Sequence, residues 1–306
     1  MATTTASGSG GAAAKGVTCP PAVDPARVEW KLGSYGVAHG SALRDVGPWL
    51  RAQDYRRVAS ARMIPIDPRE VRTRLPAGEY TLSRKFDGEF TVVCFRDGQA
   101  YSVNPGGTVR IGLPCLAELA DRLRRAGVRG ALIAGELYFR PRDGGRERVH
   151  DVSRAARRPT GQDDLDRLCF VAFDLLELDG AAPPARYADA VARLSRWLDG
   201  GDRVAAIVGV SVKTADDIDT QFARLVTTEG AEGLVLRSDV AGLLKVKPRH
   251  TIDAVVVGFT ETANTDGARQ GMLHDLLLAL CRPDGSLHIL GHVGTGFTDE
   301  QRRSFL

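Results

Sequence analysis

Hydrophobic and polar residues alternate with a period of two from Tyr80 to Lys85, with Tyr80, Leu82 and Arg84 on one side and Thr81, Ser83 and Lys85 on the other. That alternation predicts a strand. Asp87-Gly88 supplies a turn before the run Phe90 to Phe95, so the stretch reads as a hairpin with Lys85 at its edge. A further turn at Asp97-Gly98 and a return through Tyr101 to Asn104 extend the sheet. Pro114 opens a helix that carries Leu116, Leu119 and Leu123 on one face and stops at Gly127. Ala131 to Phe139 and Leu168 to Leu176 are apolar runs of strand length. The first contains one carboxylate, Glu136, which requires a partner if it is buried. A helix on Tyr187, Val191, Leu194 and Leu198 stops at Gly200, and another covers Ala215 to Thr227. Leu234 to Arg237 and Leu243 to Val246 are short strands, and the second places Lys245 and Lys247 on one side.

The two ends of the chain have other textures. Met1 to Lys15 is Thr, Ser, Gly and Ala with almost no bulky side chain, too little to offset its ordering entropy, so residues 1–27 are expected to form a disordered tail. Residues 28–62 contain Trp30, Tyr35, Leu43, Trp49, Leu50 and Tyr55, enough to dock on a core but too few for an independent domain. The main body is expected over 63–250. From Thr251 onward, Val255 to Val257, Met272 to Leu280 and His288 to Val293 are sheet-like runs joined by turns such as Pro283-Asp284-Gly285, as in a small β-barrel. About three strands lie before Leu306, too few to close one.

Composition changes this picture in a few places. The net charge of +3 is compatible with a polyanionic partner but too mild to demonstrate one. Only six of the 41 basic residues are lysine, and lysine, unlike arginine, has a pKa that burial can tune, so these positions merit inspection. Cys19, Cys94, Cys115, Cys169 and Cys281 are scattered singly, which signals neither a zinc site nor a disulfide framework. No apolar run approaches a membrane span and the N-terminus lacks signal-peptide order, so a cytoplasmic protein is expected. The chain has no Gly-x-x-x-x-Gly-Lys-Ser/Thr, and its Gly8, Gly10 and Gly11 lie in the tail rather than after a strand, which argues against a P-loop kinase or a Rossmann oxidoreductase.

An unperturbed lysine, with a pKa near ~10.4, holds almost no free amine at neutral pH, so nearby cations or burial must lower that value before Lys85 can act as a nucleophile. Otherwise it is a surface lysine on a hairpin. Likewise Phe173 reads equally as a core aromatic, Glu136 and Glu232 as salt-bridge partners, and Lys245 and Lys247 as an exposed strand face. Arg154, Arg157 and Arg158, within His150 to Thr160, form either a phosphate-contacting face or a solvated helix surface.

Taken in order, however, Lys85-Phe86-Asp87-Gly88, Glu136, Phe173 within Phe-Asp-Leu-Leu-Glu-Leu-Asp-Gly, Glu232-Gly233 within Glu-Gly-Leu-Val-Leu-Arg, and Lys245-x-Lys247 resemble the motifs of covalent nucleotidyltransferases, most closely the ATP-dependent DNA ligases. The resemblance runs from Met63 to the end of the chain. It implies an α+β fold: an adenylation domain of antiparallel sheets with flanking helices, followed by an incomplete oligonucleotide-binding (OB) barrel over 251–306. It implies that Lys85 forms a phosphoramide with AMP, which passes to a 5′-phosphate at a nick in double-stranded DNA before the adjacent 3′-hydroxyl displaces it. Ser83, Asp87, Gly88, Glu136, Phe173, Glu232, Lys245 and Lys247 would hold ATP, with Phe173 stacking on adenine and Glu136 accepting from ribose hydroxyls. Lys245 and Lys247 would neutralise phosphates, and Glu232 would help hold Mg2+ or another divalent ion. Arg84, Arg110, Arg154, Arg157 and Arg158 would be candidates for backbone phosphates. A monomer is implied.

The chain departs from the family pattern at several positions. Phe90 stands where an arginine is usual, Ser102-Val103-Asn104 where Ser-Arg-Asn is typical, and Ser83 where glutamate is common. Arg110 is a candidate to replace a missing contact. The basic motif that ends the family's barrel is not reached, which implies slow self-adenylation unless a second chain supplies the remainder. An RNA ligase or a capping-type guanylyltransferase, to which Leu244-Lys245-Val246-Lys247-Pro248 is also similar, and a non-catalytic nucleotide- or nucleic-acid-binding module are the alternatives.

Overall fold

The computed structural model describes residues 19–142, 144–249, 251–262 and 270–306. The chain divides after Pro248 into two compact units. In chain order the first unit contains β1 (Glu29–Leu32), β2 (Tyr35–His39), α1 (Gly47–Arg62), β3 (Met63–Ile66), α2 (Val71–Arg74) and β4 (Tyr80–Lys85). Then come β5 (Glu89–Arg96), β6 (Gln99–Val103), β7 (Thr108–Ile111), α3 (Pro114–Arg125), β8 (Gly130–Phe139), α4 (Val149–Arg157), α5 (Gln162–Asp166) and β9 (Leu168–Leu178). It ends with α6 (Tyr187–Leu198), β10 (Val204–Ala206), β11 (Val210–Val212), α7 (Ala215–Phe222), β12 (Gly233–Ser238) and β13 (Gly242–Val246).

These strands form two sheets: an eight-stranded one in the order β1-β2-β7-β6-β5-β8-β9-β10 and a five-stranded one in the order β11-β4-β12-β13-β3. Most pairs are antiparallel, as expected. The exceptions, β9 with β10 and β3 with β13, are parallel because long connections separate their strands. The Lys85 stretch is not a hairpin. β4 pairs with β11 and β12, whereas β5 pairs with β6 and β8, so Phe86 to Gly88 cross from one sheet to the other. Glycine is required at the end of that crossing: a Cβ on Gly88 would lie 2.3 Å from the Leu137 carbonyl oxygen and 2.8 Å from Glu136 Cγ.

Helix α3 shows how the larger core is built. Pro114 stands at its first turn, Leu116, Leu119 and Leu123 are buried, and Gly127 at φ +73° ends it while the Val128 amide donates to the Leu123 carbonyl at 3.0 Å. Its apolar stripe packs with Phe95, Ile133, Phe170 and Leu194 in one cluster. Replacing a side chain as enclosed as Leu119 with alanine typically costs ~2–5 kcal/mol. A smaller core under the five-stranded sheet gathers Ile66, Leu82, Ile218, Leu234, Leu236 and Leu244.

Two expectations about the N-terminal part are corrected. Residues 1–18 lie outside the described residues, but the packed structure has begun by Val23, which is buried and bridged to Leu43, so the tail does not extend to 27. Residues 28–62 are no appendage either. Val37 of β2 pairs with Arg110 of β7, which makes β1 and β2 the edge of the eight-stranded sheet. Tyr35 is fully enclosed and donates to the Ala156 carbonyl at 2.8 Å. Tyr35 belongs to the main core, whereas Trp30, Trp49 and Tyr55 pack, partly buried, against a second apolar cluster, as expected.

The second unit is a three-stranded antiparallel sheet of β14 (Val255–Glu261), β15 (Leu273–Cys281) and β16 (Leu287–Val293), followed by α8 (Asp299–Ser304). Arg302 ties that helix down, its guanidinium donating to the carbonyls of Leu273 at 2.7 Å and His274 at 3.0 Å. Val255, Val256, Phe259, Leu287 and Ile289 are exposed. Among the described residues, no helix is long and apolar enough to cross a membrane.

Candidate active site

The two sheets of the first unit enclose a cavity of about 470 Å³. The five-stranded sheet contributes Ser83 and Lys85 from β4, Val235 and Arg237 from β12, and Lys245 from β13. Register explains the grouping, since Ser83, Val235 and Lys245 are successive cross-strand partners and share one face. The eight-stranded sheet contributes Phe90, Glu136 and Phe173, and α1 adds Tyr55. A larger groove, about 610 Å³, lies along α6 and the chain around β10 and β11. Its described lining is mainly Ala, Val, Leu and Gly, with the hydroxyls of Thr81, Ser195 and Ser211 and with Asp199 as the single ionisable residue.

One end of the smaller cavity is charged. Lys85 Nζ donates to Glu232 Oε2 at 2.5 Å, and Lys247 Nζ donates to the other oxygen of the same carboxylate at 3.3 Å. Burial works against ionisation of Glu232, yet the hydrogen bond and charge of Lys85, followed by the charge of Lys247, hold its pKa below the ordinary glutamate value. Gly233 follows directly and pairs with Lys85; a Cβ there would sit 2.5 Å from the Val246 carbonyl, so strand β13 can approach closely only because the residue is glycine. Glu136, paired with Phe90 across β8 and β5, behaves differently. Burial, reinforced by the charges of Glu232 and Glu89, pushes its pKa up to about 7 against the opposing pull of Lys85 and of the Gly88 amide, which donates to it. This carboxyl changes charge near neutrality.

The other end is aromatic. Tyr55 and Phe90 stack with ring centroids 5.4 Å apart, and Phe173 lies 6.1 Å from Phe90 and 6.2 Å from Tyr55. Phe173 reaches this position through a β-bulge: Gly135 pairs with Ala172 and Ala134 with Asp174, which leaves Phe173 without a partner on β8 and re-aims its side chain. Behind the rings, Tyr55 Oη donates to Asp174 Oδ2 at 2.8 Å, and Arg237 donates to that same oxygen at 2.6 Å and to Tyr55 Oη at 2.9 Å. The Arg237 guanidinium also lies 4.3 Å from the centre of the Tyr187 ring.

Known proteins were compared with this chain. A protein named "Probable DNA ligase" from Streptomyces griseus is 29% identical to it over 289 residues, an alignment covering 84% of this chain and 54% of that relative. A "Probable DNA ligase" from Streptomyces coelicolor is 30% identical over 252 residues, covering 72% of this chain and 45% of the relative. In sequence the chain is similar to proteins named as probable DNA ligases. The chain spans about half the length of the curated relatives it matches. No family model matches it. Its fold is similar to that of a solved Lig E DNA ligase, with a TM-score of 0.53, 20% identity, and coverage of 79% of this chain and 87% of that one.

Of the residues singled out in the sequence, Ser83, Lys85, Gly88, Glu136, Phe173 and Lys245 line one cavity, and Glu232 and Lys247 join it through Lys85. Asp87 sits in the crossing segment and is not part of the lining. The arginines are dispersed. Arg110 is only 4% exposed and makes a two-pronged pair with Glu89 at 2.5 and 2.9 Å, so it is committed to the sheet and cannot stand in for a missing phosphate contact. Arg84 lines the cavity but is held by Glu147 at 2.7 Å and lies over the Phe86 ring, while Arg154 is held by Asp164 at 3.1 Å. Arg157 and Arg158 are exposed. Sequence reasoning missed Tyr55, Asp174, Tyr187 and Arg237. Arg237 carried a usable signal: two residues after Val235, on the same face of a strand, it turns a charge toward the interior.

Proposed function

We propose that the chain is the nucleotidyl-transferring part of an ATP-dependent DNA ligase, which seals nicks in double-stranded DNA through an AMP bound covalently to Lys85. The observation that carries this reading is the juxtaposition of Lys85, Glu232, Lys247 and Glu136 at the charged end of a cavity whose other end is walled by aromatic rings. A nucleotide has that same polarity, with phosphates at one end and a flat base at the other.

In this reading Lys85 exchanges its contact with Glu232 for the α-phosphorus of ATP; its nitrogen bonds to phosphorus as the bond to pyrophosphate breaks, and its proton is lost. Lys245 and Lys247 offset the charge of the phosphates. Glu136 accepts from the ribose hydroxyls and Phe173 stacks on the base. Among the described residues no group of three or more His, Cys, Asp or Glu could hold a metal ion. A divalent cation would be held by Glu232 together with phosphate oxygens and water, the mixed coordination that Mg2+ favours. When bound, it screens the leaving pyrophosphate. Residues 63–248, together with β1, β2 and α1, serve as the adenylation domain, and the second unit is the beginning of an OB barrel, a reading supported by its hairpin-linked strands and exposed apolar side chains.

Intact-mass measurement after prolonged incubation with ATP and Mg2+ tests the proposal. The parent is expected to gain one AMP and Lys85→Ala none. An unchanged parent mass, or an adduct of equal yield on both proteins, would overturn it. GTP in place of ATP on the protein would move it to the capping-type class, and sealing of nicked RNA in preference to nicked DNA would change the substrate.

A further inference from the structure

We infer that Tyr55 is a nucleobase-contacting residue of the cleft, held in place by Asp174 and Arg237, so that helix α1 belongs to the nucleotide site. The inference rests on the reading of the cleft as a nucleotide site and adds to it a residue from a segment, 28–62, that carries none of the motifs.

Three observations lead to it. First, Tyr55 lines the cavity and lies with Phe90 and Phe173 in a wall whose ring planes differ by only 12° to 34°. Second, its hydroxyl is already committed, donating to Asp174 and accepting from Arg237, so the part left to meet a ligand is the ring. Burial pushes the phenol pKa upward, so the hydroxyl remains a neutral donor over the physiological range. Third, Phe90 and Phe173, which lie beside Tyr55 in the cavity lining, are apolar, so this end of the cavity offers rings rather than free charge.

A flat apolar wall away from the two ammonium groups at Glu232 suits a purine ring and does not suit phosphate. Arg237 adds no free charge there, because Asp174 neutralises it at 2.6 Å. Asp174 thus acts as a positioning residue: it is not part of the cavity lining, and it touches both residues that are.

Calorimetric titration of the whole chain with ATP and, separately, with pyrophosphate reads the two ends apart. Tyr55→Ala is expected to weaken ATP roughly tenfold, the range of one lost base–aromatic stack, while pyrophosphate affinity stays within about twofold. Tyr55→Leu, which fills much of the same space without an aromatic face, should repeat that pattern, and Tyr55→Phe should retain most of the ATP affinity. ATP affinity unchanged in both the alanine and leucine variants, or equal losses for ATP and pyrophosphate, would overturn the role of Tyr55. A parent that binds neither probe would overturn the nucleotide reading itself, which separates the two failures.

Discussion

The two ends of the cleft each hold a carboxylate between two cations or donors, yet they are built for different work. At the charged end, Glu232, itself 13% exposed, is shared by Lys85 and Lys247, whose side chains retain 25% and 42% exposure. At the aromatic end, Asp174 is shared by Tyr55 and Arg237, and both members of the ion pair are only 18% exposed. Pairs near water contribute little to stability, whereas removing one partner of an enclosed pair leaves an uncompensated charge. The charged end is therefore free to exchange partners, while the aromatic end holds its shape.

That contrast breaks most visibly on substitution of the two carboxylates. Asp174→Ala strands Arg237 and is expected to cost about 3 kcal/mol, read as a lower urea midpoint, whereas Glu232→Gln should cost well under half of that while sharply reducing AMP transfer. Equal losses of stability would erase the distinction. Gly88→Ala comes next. Its Cβ would meet the Leu137 carbonyl at 2.3 Å, so the crossing between the sheets must shift, at a cost of ~1–3 kcal/mol and with Glu136 displaced from the Gly88 amide. An alanine variant with parental stability and parental adduct yield would show that the crossing is looser than this geometry requires.

A further effect concerns pH. The pKa of Glu136 is raised from 4.5 to about 7 in the folded protein, so between those values the native state holds a proton that the unfolded chain has lost. Stability accordingly falls as pH rises through that window and levels off above it. In thermal melts the parent should lose a few degrees more than Glu136→Gln between pH 5 and pH 7.5. Parallel curves for the two proteins would mean that the carboxyl is already ionised at the lower pH.

The same division governs how much was legible in the sequence. The charged end could be read because the motif resemblance names residue types at short spacing: Lys85 and Lys245 sit on strands of one sheet, Glu232 and Lys247 stand directly beside strands of that sheet, and the structure brings them to one place. The aromatic end could not. Tyr55, Phe90, Phe173 and Arg237 come from a helix and three strands spread over 183 positions, 55 to 237, and only the pairing of β5, β8 and β9 and the bulge at Phe173 turn them toward one another. The Lys85 turn misled for a related reason. Asp-Gly favours a hairpin locally, but Leu82 and Val93 belong to different cores, so tertiary packing sent the two strands to separate sheets. Arg110 misled because a basic residue on a strand looks available until its partner, Glu89, 21 residues away, is seen.

The most direct test of the central claim is peptide mapping of the protein after incubation with ATP and Mg2+, locating any AMP on the chain. The account predicts that it resides on the Lys85 side chain, through a bond labile to acid. AMP found instead on Lys31, Lys213, Lys245 or Lys247, with Lys85 unmodified, would contradict it.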